Sequence, residues 1–122
     1  MPPNDVPAVV IGSLAEARLA AAFAGRVLIV AAPAFGWSAV EALQELAGTE
    51  IAYDPAERAG FAADALQRGA RIVLFPTAHP QHDALVALAE ACGARLLPPP
   101  AAPLLLASEK EPEAALARLA RP

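Results

Sequence analysis

The chain of 122 residues is poor in the residues that announce chemistry. It has one cysteine, one methionine, one tryptophan and one tyrosine, and aromatic residues make up 5% of it. A single thiol, Cys92, excludes an internal disulfide. Lys110 is the only lysine, no Lys/Arg cluster occurs and the net charge is −4, so neither a nucleic-acid nor an anionic-membrane partner is expected. The longest apolar stretch, Val27 to Phe35, is interrupted by Pro33 and is too short to span a bilayer. Met1 to Asp5 has neither the basic start nor the apolar core of a secretory signal, which leads to the expectation of a cytoplasmic protein. There is no Gly-x-Gly-x-x-Gly and no Walker loop, which argues against a dinucleotide or nucleoside triphosphate site. Ser38 lacks the Gly-x-Ser-x-Gly surround of a nucleophile elbow. No cofactor is expected.

What is present is alternation. Five short apolar runs occur at Ala8–Ile11, Val27–Val30, Ile51–Tyr53, Ile72–Phe75 and Leu96–Leu97, each followed by a helix-like stretch. Strands alternating with helices build a parallel sheet covered by helices. The fold class expected is α/β: a single three-layer α/β/α domain with a five-stranded, mainly parallel sheet, the flavodoxin-like order 2-1-3-4-5 being favoured. Residues 1–122 form one domain, with 1–7 as an N-terminal extension and 98–112 as a Pro-rich connection to a C-terminal helix. A chain of this size buries roughly two-thirds of its unfolded surface around one core.

Local signals punctuate the elements. Ser13 and Glu16 have the spacing of a capping box, and Gly25, Gly48, Gly69 and Gly93 each follow a helical stretch as stop signals. Trp37, Val40, Leu43 and Ala47 share one face of the second helix. Asp54 is expected to cap a third helix with Pro55 at its first position, and Phe61, Ala65 and Leu66 to form its apolar stripe. The fourth helix is expected to turn Leu85, Leu88, Ala89 and Cys92 inward, making Cys92 an inert core thiol. Pro98–Pro100 cannot join a ladder through its missing amides. Ser108 to Arg121 reads as a final helix, with Pro112 in its first turn and Leu116 and Leu119 inward.

In an open parallel sheet, ligands bind beyond the carboxyl ends of the strands. The candidates there are Ser13, Trp37, Ser38, Asp54, Thr77, His79 and His82. Ser13 and Asp54 are first of all helix caps, and Thr77 or His79 a cap of the fourth helix. His79, His82 and Asp83 place two imidazoles and a carboxylate within five residues, but a lone His-x-x-His without cysteine is weak support for zinc, and no metal is expected. Phe35-Gly36-Trp37-Ser38 is the one aromatic cluster. Trp37 packs against its own helix and the sheet, or lines an apolar pocket or a subunit contact.

Two resemblances add to this reading. Asp54, Gly60-Phe61, Thr77-Ala78 and Gly93-Ala94 resemble the corresponding marks of a response-regulator receiver domain. Gly12-Ser13 stands where receivers carry a magnesium-binding acidic pair, and Pro98-Pro99 where they carry a lysine, so no phosphotransfer is implied. Ser13 to Arg18, Ala32-Pro33 with Gly36-Trp37, Asp54, Gly60, Ala65-Leu66 and Gly69 resemble a set of small uncharacterised bacterial α/β proteins of Rossmann or flavodoxin-like fold. That resemblance implies the fold and no activity. The leading expectation is a non-catalytic α/β domain acting as a homo-oligomer, with a small-molecule ligand at the strand ends. The excess of apolar residues, Leu104–Leu106 included, motivates it. One alternative is a small enzyme built on Asp54, Thr77 and His79, with His82. A second is a receiver-like module that binds partner proteins.

Overall fold

The computed structural model describes residues 6–121. Residues 1–5 of the expected N-terminal extension lie outside the described residues. Three strands form one parallel sheet: β1 (Ala8–Ile11) lies between β2 (Leu28–Ala31) and the two-residue β5 (Leu104–Leu105). A second parallel sheet pairs β3 (Ile72–Leu74) with β4 (Arg95–Leu97). The run at 51–53 is too short for a strand of its own, yet it joins the sheets. Ala52 bridges Val30 and Tyr53 bridges Val73, both in parallel. Four backbone hydrogen bonds fasten it: Ala52 N donates to Ile29 O and Ala31 N to Ala52 O, then Tyr53 N to Ile72 O and Leu74 N to Tyr53 O. Every neighbour is co-directional, as the alternation predicts.

The expected single five-stranded sheet in the order 2-1-3-4-5 does not form. Chain order and spatial order coincide from β1 to β4, and β5 returns to the free side of β1. This order ends the receiver-like reading, which needs the first strand between the second and third. The helices correct the expected three layers as well. Right-handed crossovers that always step in one direction put every helix on one face. Side chains from α1 (Leu14–Ala21), α2 (Trp37–Ala47), α3 (Ala59–Gln67), α4 (His82–Cys92) and α5 (Pro112–Leu119) all join one cluster, on the face that carries Val9, Ile11, Ile29, Tyr53, Val73 and Phe75.

Among the described residues no helix packs on the other face, yet Ala8, Val30, Ala52, Ile72 and Leu74 are buried there in a cluster of their own. A flat sheet covered on one side would leave them in water. Their burial fits a ladder curled about this concave face, the winding of a β/α barrel. No backbone pairing joins β4 to β5 among the described residues. The small side chains of Ala8 and Ala52 suit the crowded inside of such a curl.

The local signals in the sequence hold with three exceptions. Ser13 Oγ accepts the Glu16 amide at 3.1 Å, and Glu16 Oε1 accepts the Gly12 amide at 2.7 Å, which completes the capping box one residue early. Gly48 and Gly93 close α2 and α4 in the left-handed conformation that glycine adopts freely. Pro112 occupies the start of α5. The first exception is α3, which begins at Ala59 rather than Pro55. Asp54 Oδ1 instead accepts the Ala56 amide at 2.9 Å, and Ala56 and Glu57 follow at φ 53° and 64°. Two consecutive left-handed residues cannot enter a right-handed helix. The later start sets the phase so that Ala62, Ala65 and Leu66 face inward and Phe61 is exposed. The second is Cys92, exposed at the last turn of α4, because that helix flanks an end strand. The third is Leu104–Leu105, which forms β5 against β1.

Candidate functional site

The residues singled out in the sequence are brought to one rim of the ladder but not to one another. Ser13 serves its helix cap. Ser38 and Thr77 are exposed, Ser38 in the first turn of α2 and Thr77 in the turn before α4. Asp54 closes its own turn. His79 accepts the Gln81 amide through Nδ1 at 3.0 Å, and its ring meets Phe75 edge-on at 4.6 Å. His82 Nδ1 lies 3.1 Å from Asp83 Oδ1. Asp54 and His79 thus hold neighbouring backbone, share no hydrogen bond among the described residues, and neither lines the strand-end cleft described below. Among the described residues no three His, Cys, Asp or Glu side chains gather as a metal centre. No described helix is long and apolar enough to cross a membrane.

Trp37 is buried, as its packing role requires, and meets Tyr53 in a T-shaped contact. Next to this pair, at the carboxyl ends of β2 and the 51–53 run, lies an open cleft of about 270 Å³. Phe35 and Gly36 line one side of it, and Pro55, Arg58 and Phe61 the other. Tyr53 forms its buried floor at 4% exposure. The polar side chains of this lining are Tyr53 and Arg58 alone. Both can donate hydrogen bonds, and no carboxylate faces them from the lining.

Each of these groups has a local reason to be there. Tyr53 ends the short run that stitches the two sheets, and alternation along that run turns it with Ile51 toward the helices. Burial, then the Asp54 and Asp64 carboxylates, push its hydroxyl above the ordinary value of 10.0, while Arg58 pulls the other way. The group therefore stays protonated at neutral pH and is a donor. Its oxygen has no hydrogen-bond partner among the described residues. Arg58 precedes α3, with its guanidinium carbon 5.5 Å from the centre of the exposed Phe61 ring. It forms no ion pair among the described residues, whereas Asp64 is taken by Arg68 at 3.2 Å.

Two other hollows lie elsewhere. One of about 430 Å³ opens at the amino ends of the strands and borders Val6, next to residues outside those described. One of about 310 Å³ runs between α4 and the free side of β4. Neither contains a buried polar side chain. The strand-end cleft does, and Tyr53, Arg58 and Phe61 are the residues sequence reasoning passed over. The signal lies in the sequence itself: the only tyrosine of the chain ends an apolar run, next to the more conspicuous Asp54. Comparison with known protein families, with characterised proteins and with solved structures finds no match for this chain.

Proposed function

We propose that this chain is a non-catalytic binding domain that takes a small molecule in the cleft over Tyr53. The observation that carries the reading is Tyr53, a buried side chain that lines the cleft and whose hydroxyl has no hydrogen-bond partner among the described residues. A hydroxyl held on a buried ring at the floor of a cleft has little freedom to turn elsewhere, and a ligand atom would give it a partner. An enzyme built on Asp54, Thr77 and His79 is disfavoured, because Asp54 and His79 are committed to separate turns. Native mass spectrometry of freshly purified protein tests for a co-purifying small molecule. Amide shifts confined to residues 33–36 and 53–61 on adding small-molecule mixtures would place it. A ligand-free species whose amides in these loops never respond would end the reading.

A second reading, self-association, is supported by the free edges of the ladder. β5 is only two residues long, pairs on one side, and leaves Leu105 53% exposed. An exposed leucine beside an unpaired strand edge is a natural contact for a second copy of the chain. Sedimentation at micromolar concentration should show a dimer or larger species that Leu105→Lys reduces to monomer. A strict monomer in the unaltered protein refutes it.

A further inference from the structure

We propose that the cleft over Tyr53 receives the anionic head of its ligand, a carboxylate or phosphate monoester whose apolar body lies between Phe35 and Phe61. The inference rests on the binding reading above and adds the chemical class of the ligand.

Two helices start at this cleft, and both start bare. Gly36 precedes α2 and lines the cleft, and Arg58 precedes α3 and lines it too. Neither helix has a side-chain cap, and neither has an acidic residue in its first turn. The other three helices each carry one there: Glu16 in α1, Asp83 in α4 and Glu113 in α5. A helix start leaves amide donors without partners and bears a partial positive charge. In this chain the acid that would answer that charge is missing at the two ends that share a cavity. An anion from outside can occupy both.

The side chains agree with the helices. Tyr53, a side chain more than nine-tenths buried, offers a protonated hydroxyl without a partner among the described residues, and Arg58 offers a planar cation suited to two oxygens of one head group. The nearby carboxylates are otherwise engaged, Asp54 with the Ala56 amide and Asp64 with Arg68. The aromatic walls have no polar atoms to satisfy and call for an apolar body. A cleft of about 270 Å³ limits that body to a ring or a short chain.

The test uses the intact chain and its single tryptophan, which touches Tyr53. Trp37 fluorescence and calorimetry follow titration with phenyl phosphate, benzoate, inorganic phosphate and benzyl alcohol. Saturable binding of phenyl phosphate or benzoate, with benzyl alcohol much weaker, is expected, and the stronger of the two anions identifies the head group. Arg58→Ala should weaken that binding about tenfold or more, the loss typical of a hydrogen bond to a charged group. Arg58→Lys should restore part of it. Arg58 is exposed, so an unchanged melting curve separates lost binding from lost folding. Benzyl alcohol binding as well as the anions, with Arg58→Ala silent, overturns the anionic head and leaves the binding reading standing. Inorganic phosphate matching phenyl phosphate overturns the apolar body. No response to any of the four overturns both.

Discussion

The indole of Trp37 meets the ring of Tyr53 edge-on, with centroids 6.0 Å apart and planes at 65°. This contact ties the start of α2 to the run that stitches the two sheets, and both rings are buried. It also leaves Trp37 Nε1 sealed from solvent without a partner. Removing such a donor offsets part of the area lost with it. Trp37→Phe is therefore expected to cost under about 1.5 kcal/mol, as volume-sparing swaps do. Trp37→Ala should cost about 3–5 kcal/mol, as large core truncations do. Urea denaturation followed by circular dichroism distinguishes them. Equal losses for the two variants would show that the indole nitrogen is satisfied after all.

The same tyrosine gives the fold a dependence on alkaline pH. Its hydroxyl is held above 10.0 in the folded state, chiefly by burial. The folded chain therefore binds this proton more tightly than the unfolded chain does. The resulting stabilisation is complete below pH about 10 and is lost as pH rises from there through the folded value. The tyrosinate absorption band reports Tyr53 alone, since the chain has no other tyrosine. Its midpoint should lie above 10.0, and Tyr53→Phe should abolish this component of alkaline destabilisation. A midpoint at or below the ordinary value contradicts the burial argument.

Ser13 tests how much a cap is worth when its partner is already reciprocal. Ser13→Ala removes the acceptor of the Glu16 amide and is expected to cost about 1 kcal/mol. Ser13→Asp should recover most of it. The readout is the urea midpoint at constant slope.

Cys92 is exposed, contrary to the apolar stripe read from spacing. A disulfide reagent should modify the native protein completely without denaturant. Cys92→Ser should change stability by no more than about 0.5 kcal/mol, as surface substitutions do. Modification that awaits unfolding would return Cys92 to the core.

Much of this fold was legible because it is decided within a few residues. The unbroken apolar run Ala8, Val9, Val10 and Ile11 announces a strand buried on both faces. The box from Ser13 to Glu16 starts a helix, and Gly48 and Gly93 stop two others. The candidate site was legible in location only. Asp54 and His79 do stand at the strand ends, but each bonds a backbone amide two residues on, an interaction available to short polar side chains anywhere in a turn. The cleft depends on how far Phe61 is carried outward by a helix that starts four residues later than Pro55 suggested. That delay comes from the left-handed Ala56 and Glu57, which no local rule for those residue types foretells.

What the amino-acid order determined alone is the cast of elements and their common direction, since each apolar run needs a covered ladder and each helix carries its own start and stop. Which strand lies beside which was settled only in three dimensions. Parallel pairing is made by backbone groups that every residue possesses, so Val9 could accept Leu104 or a residue of the 51–53 run with equal chemistry. Packing chose a one-way winding, with all five helices on one side and Ala8, Val30, Ala52, Ile72 and Leu74 closing the other. That choice also brought Arg58, Tyr53 and the bare start of α2 around one cleft.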